Sequence, residues 1–168
     1  MDPHAAHERV LFEEYMARLA KGQPESQGLL AAETVELSPQ SARRVREALV
    51  LLRRMGFGVA EFGGDAFVID AVPACFQAVS ARTLLPEIAA CLEQVGMRGT
   101  ALRLMEERIA QAACKASVKA RSSLTMSEME TLVERLARAE MPYTCPHGRP
   151  TLIHLSFREL DRRFGRTS

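Results

Sequence analysis

The hydrophobic period of this chain changes twice. It is helical at the start, alternates in the second quarter, and is helical again through most of the second half. A helical period buries a stripe and an alternating period buries one face of a sheet, so a single chain with both must pack helices against strands. Residues 4–21 form the first helix, with Val10, Leu11, Tyr15 and Leu19 on one side and Gly22 and Pro24 as its stop. Residues 23–28 read as a polar linker, and residues 29–37, with Thr34 and Val35, as a strand. Ser38 can cap a second helix whose first position is Pro39, where a missing N–H costs nothing. Val45, Leu49, Leu52 and Met55 continue it at helical spacing to Gly56. Residues 57–62 and 66–72 are strands joined through Gly63-Gly64, a hairpin signal. Helices follow over 84–95, 100–121 and 125–140, the last opened by a Thr125-x-x-Glu128 capping box. A loop over 142–150, a short strand over 151–155 and a short helix from Ser156 to Gly165 complete the order. The fold class is α+β, with residues 26–95 as one lobe and residues 1–25 with 96–168 as the other.

Length and composition narrow the function. The chain has 168 residues, 47% apolar and 26% charged, as in an ordinary globular domain. No apolar run is long enough to span a bilayer, and Met1-Asp2-Pro3-His4 does not begin a signal peptide, so the expected location is cytoplasmic with no membrane partner. Four cysteines without an export signal argue for thiols or metal ligands. A net charge of +1 argues against strong unaided binding to nucleic acid, which depends on neutralising phosphates. A DNA substrate would need delivery by something else, or a local basic patch.

Three segments carry chemistry. In the first, His4 and Glu8 are four apart and share a helix face, Asp2 lies just before them, and His7 can join or flank them. Carboxylate with imidazole suits zinc or manganese, although a solvated helix start reads the same way. The second is Cys145-Pro146-His147-Gly148-Arg149-Pro150. Its Cys-x-His pair offers a thiolate and an imidazole in a loop stiffened by two prolines, and a turn with an incidental cysteine is the alternative. The third is Cys114 in an alanine-rich helix, by itself a small core residue, as Cys75 and Cys91 also read.

Taken in order, these segments resemble the C-terminal domain of the nicking-competent bacterial MutL family of DNA mismatch repair. That family carries Asp-Gln-His-Ala-x-x-Glu-x4-Glu, which Asp2, His4, Ala5, Glu8 and Glu13 match, with Pro3 in place of Gln. Ala113-Cys114 through Lys119-Ala120 is similar to a second family segment, Cys145 to Pro150 matches a third at every position, and Phe157-Arg158-Glu159-Leu160 with Phe164-Gly165-Arg166 is similar to the family's last helix.

The resemblance implies a two-lobed domain, here without the strands that precede the family's Asp. It implies that Glu8, Cys114, Cys145 and His147 bind zinc, and that Asp2 and His4, with Glu8, support a catalytic manganese or magnesium. The implied activity is nicking of double-stranded DNA by a homodimer. The alternative is a non-catalytic dimerisation and clamp-docking module with a structural zinc. Arg149 and Lys119 are the candidate DNA contacts, and Arg149 could instead hold its loop. Gln27 and Leu30 sit where the family often carries a motif for the replicative sliding clamp, although a plain linker reads equally well there. The other implied partners are MutS and the family's own N-terminal ATPase domain, with nucleoid association during repair.

Overall fold

The computed structural model describes all residues except 23, 77–78, 96–101, 120–123 and 167–168, together with the side chains of 95 and 119. Helix α1 (Pro3–Ala20) is followed by strand β1 (Ser26–Glu36), helix α2 (Pro39–Arg54), strands β2 (Gly58–Gly63) and β3 (Ala66–Pro73), and helices α3 (Ala81–Val95), α4 (Leu102–Lys119), α5 (Met126–Ala137) and α6 (Phe157–Arg163). The sheet is antiparallel throughout, in the order β1-β3-β2. The fold class is therefore α+β, as the sequence indicates.

Local chemistry accounts for most element ends. Ser38 accepts the Ser41 N–H at the start of α2, and Pro39 holds the first helical position. Gly64 and Asp65 turn the chain between β2 and β3, and Gly64 adopts φ +55, a left-handed angle that costs glycine nothing. Arg46 of α2 bridges Glu61 of β2 and Asp65 of this turn and lies over the Phe67 ring, so the hairpin is fastened to the helix. Thr125 and Glu128 form both halves of the expected capping box.

Four expectations need correction. Residues 26–28 are not linker: they pair with residues 71–73 as the start of β1. Helix α3 begins at Ala81 rather than 84, because Ser80 and the Glu33 carboxylate together accept the Arg82 N–H. Helix α5 stops at Ala137 rather than 140, where the Glu140 amide donates to a side chain of α1. Residues 151–155 form no strand among the described residues, because no neighbouring strand offers them a ladder; the Thr151 carbonyl accepts the Asp2 N–H, and only one bridge, Thr144 to Pro150, closes the preceding loop. The ends of the helix expected over 100–121 lie outside the described residues.

One core runs from the inner face of the sheet through α2 and α3 to α1 and α4. Leu52, Met55, Phe67, Leu84, Ile88, Leu92 and Ile109 are fully buried in it. A smaller cluster, Ala6, Val10, Leu132 and Leu136, joins α1 to α5. Helix α1 thus faces both clusters, and its position fixes everything mounted on its first turns. No helix among the described residues is long and apolar enough to cross a membrane.

Tyr15 packs tilted against Phe76, ring centroids 4.9 Å apart, and donates its hydroxyl to the Met55 carbonyl at 2.7 Å, in a site with no exposure. Burial, with lesser effects of Cys75 and Cys114, holds that hydroxyl protonated far beyond the usual tyrosine range. Tyr15→Phe keeps the ring and strips the Met55 carbonyl of this donor, so a loss of about 1–3 kcal/mol is expected in urea unfolding.

Candidate metal centre

The site is assembled from the start of α1 and the loop after α5. Asp2 caps α1, its Oδ1 accepting the His4 and Ala5 N–H groups at 2.9 and 3.3 Å. One face of the helix then carries Glu8, whose side chain is 5% exposed. A carboxylate this deep is tolerated only with partners, and the loop supplies them. His147 Nδ1 lies 3.0 Å from Glu8 Oε2, and an Arg149 guanidinium nitrogen lies 3.5 Å from Oε1. Burial by itself pushes the Glu8 carboxyl up. The His147 hydrogen bond and charge, the Arg149 charge and a Cys145 hydrogen bond act the other way, and the net shift is down.

The loop is preorganised by its own backbone. Cys145 N–H donates to the Arg149 carbonyl at 2.7 Å, and Gly148 N–H donates to the Cys145 carbonyl at 2.9 Å. Gly148 sits at φ +83, where a side chain would be strained. The His147 N–H points at Cys145 Sγ, 3.4 Å away. Thr151, buried just beyond, donates its N–H to Tyr143 and its hydroxyl to the Pro142 carbonyl, tying exit to entry.

Ligand atoms of Glu8, Cys145 and His147 all lie within 4.8 Å of one another. Two nitrogen or oxygen donors on a tetrahedral ion sit about 3.3 Å apart, so the Glu8–His147 contact is close to the separation a shared ion requires. Carboxylate, thiolate and imidazole are the donors zinc takes, so these residues fit it. Cys114 is fully buried and close enough to Glu8 to feel its charge, but it is outside the close group. Burial, then Cys75 and Glu8, push its thiol well above the ordinary value. Cys75 and Cys91 are half-buried free thiols; burial takes Cys75 to about 11 and also raises Cys91.

The other residues singled out from the sequence are distributed as follows. Asp2 and His4 stand at the exposed end of α1, with His4 Nδ1 3.9 Å from Asp2 Oδ1. His7 lines a small pocket of about 140 Å³ between α1 and α5, with Leu124 and Arg135. Gln27 and Leu30 lie exposed on β1, Leu30 in the stretch between Gly28 and Glu33 where the pairing with β3 shifts register. Arg149 spends its guanidinium partly on Glu8. The side chain of Lys119 is outside the description.

Sequence reasoning missed Arg9, Gln111 and Thr151. Arg9 is buried and donates to the Thr144 carbonyl at 2.6 Å, and Gln111 of α4 donates to the Pro146 carbonyl at 3.2 Å. The available signal was a charged residue beside Glu8 among apolar neighbours, Val10 and Leu11.

The chain is similar to known proteins over almost its whole length. Residues 1–124 match the family described as the MutL C terminal dimerisation domain. The chain is 39% identical over 167 residues to the DNA mismatch repair protein MutL of Gemmatimonas aurantiaca, covering 99% of this chain and 27% of that relative. It is 38% identical over 166 residues to the protein of the same name from Geotalea uraniireducens, again 99% of this chain and 28% of the relative. The corresponding Clostridium perfringens protein is 34% identical over 166 residues, 24% of its length. The chain thus spans little more than a quarter of the length of the first of these curated relatives. Those alignments, unlike the family match, extend through the Cys145–Pro150 loop.

Glu8→Ala removes the acceptor shared by His147 and Arg149. Because Arg149 is largely exposed, the expected cost is modest, about 1–2 kcal/mol in denaturant unfolding of the metal-free chain.

Proposed function

Because the chain belongs to the MutL C-terminal dimerisation domain family, we propose that it serves in DNA mismatch repair as a zinc-holding, homodimeric domain that nicks double-stranded DNA. The observation that carries this reading is the convergence of Glu8, Cys145 and His147, brought from two segments 139 residues apart at their widest, on one point. Such convergence is what a metal centre needs and what chance surface chemistry rarely supplies.

In this reading Glu8, Cys145 and His147 hold zinc and Cys114 completes the set from α4. Asp2 and His4, with Glu8, hold manganese or magnesium at the open end of α1. When bound, these ions supply Lewis acidity toward a phosphodiester oxygen and a more acidic water. The chain's own residues orient the site: Asp2 fixes the helix end, Glu8 holds the His147 ring, and Arg149 keeps a half-free guanidinium beside it for a phosphate. Lys119 is a second DNA contact in this proposal. Gln27 and Leu30 offer an exposed edge to the sliding clamp, while MutS and the family's ATPase domain are the further partners. The cytoplasm, with nucleoid association during repair, is the place this work implies.

A second reading has a specific observation behind it. Both His4 and Asp2 lie outside the close donor group, Asp2 Oδ1 is already engaged as the cap of α1, and Pro3 stands where the family has Gln. On that reading zinc is structural and the domain dimerises and docks the clamp without cutting. A supercoiled-plasmid assay with Mn²⁺ separates the two. The endonuclease reading expects nicking that Asp2→Asn abolishes; no nicking by folded protein supports the docking module.

Zinc that binds only the assembled site also stabilises it. At about a hundredfold excess over Kd the gain is about 2.7 kcal/mol, or about 5–10 °C in Tm for a chain of this size. Chelation is expected to lower Tm by that amount, and an unchanged Tm with the metal verifiably removed contradicts the zinc assignment.

A further inference from the structure

Glu13 matches the second glutamate of the family motif, yet its position on α1 separates it from the donor group. It follows Glu8 by five residues, about 140° around the helix, and so leaves by a different face. Its carboxylate is fully used elsewhere. Oε2 accepts the Glu140 N–H at 2.7 Å, and Oε1 accepts the Met141 N–H at 3.0 Å. Oε1 also lies 3.5 Å from an Arg9 guanidinium nitrogen, in a pair whose side chains are 7% and 20% exposed. Arg9 in turn donates Nε to the carbonyl of Thr144, the residue immediately before Cys145.

We propose that Glu13 and Arg9 are positioning residues: together they fix the backbone entering the Cys145–His147 loop, and neither is a ligand in the site. The two residues reach the chain at three successive points, 140, 141 and 144. The Asp2 N–H holds the far end at the Thr151 carbonyl, 2.8 Å away. The loop is therefore stretched along α1 between fixed ends, and Glu8 meets His147 and Arg149 in the middle. Charge-assisted bonds between a carboxylate and backbone amides are the strong kind, and Arg9 is itself buried, so placement of the Cys145 sulfur follows from the Arg9–Glu13 pair. The consequence for metal binding rests on the zinc assignment above; the consequence for loop order does not.

A neighbouring ion pair provides the control. Arg135 of α5 meets Glu14 through two contacts, 2.9 and 2.6 Å. That pair braces α1 against α5, and among the described residues neither side chain hydrogen-bonds the loop.

The experiment uses the whole chain with Glu13→Ala, Glu13→Gln and Glu14→Ala. Amide hydrogen exchange of the metal-free proteins reads loop order, and Zn²⁺ competition against a chelator reads affinity. Glu13→Ala is expected to exchange faster across residues 140–148 and to lose zinc affinity by about 10–100-fold, as partners behind metal ligands typically do. Glu13→Gln keeps one neutral acceptor and should fall between wild type and Glu13→Ala; it decides the matter if Glu13→Ala does not fold. Glu14→Ala should leave both readouts at wild-type values. Wild-type exchange in folded Glu13 variants, or an equal effect from Glu14→Ala, overturns the proposal. A wild-type chain that takes up no zinc defeats the zinc assignment alone, and the exchange data still decide whether Glu13 orders the loop.

Discussion

A carboxylate that is 5% exposed can remain ionised only if the fold brings it donors or positive charge. Glu8 is that carboxylate, and the rest of the site answers its demand. The loop from Thr144 to Pro150 turns so that His147 and Arg149 face Glu8 while Cys145 lies beneath them, buried. The contact joins residues separated by almost the whole chain. Without it the loop after α5 would lose its central side-chain contact with α1 and depend on its short backbone ring, the anchors at its ends and the Gln111 bond to Pro146.

Helix α1 can present Glu8 because its other faces are committed to packing. Leu11 and Tyr15 enter the main core, and Ala6 and Val10 meet Leu132 and Leu136 of α5. Burying such side chains contributes on the order of 1.5–3 kcal/mol each for the larger ones, enough to hold a helix still while two polar turns are used for chemistry. Helix α4 packs against α1, placing the Cys114 thiol within reach of the Glu8 charge and lending Gln111 to the Pro146 carbonyl. The sheet takes no part in the donor group. It anchors α2 and α3, and exposes β1 at Gln27 and Leu30.

The helices and the hairpin were legible in the sequence because their signals are local: a 3.6-residue stripe, Ser38-Pro39, the Thr125 capping box and two adjacent glycines. The start of α3 was not, since it depends on Glu33, a residue of β1 almost fifty positions away. Nor was the missing strand at 151–155, because extended-looking residues become a strand only beside a partner. The donor residues were legible as types and spacings, and the fold brings Glu8, Cys145 and His147 close together. What spacing could not reveal was the division of labour on α1. Glu8 and Glu13 are equivalent as letters, and only their azimuths separate a donor from a backbone anchor. Arg9 was overlooked for a similar reason, because a buried arginine is legible only once the Thr144 carbonyl it serves is in place.

The central claim is that Glu8, Cys145 and His147 form one zinc site. Zinc X-ray absorption on the purified full chain tests it most directly. The account predicts bound zinc with a mixed shell, sulfur at about 2.3 Å together with nitrogen and oxygen at about 2.0–2.1 Å, and weaker sulfur scattering in Cys145→Ser, where Cys114 is the remaining sulfur donor. A chain that retains no zinc, or a spectrum without sulfur in the wild-type shell, would contradict it.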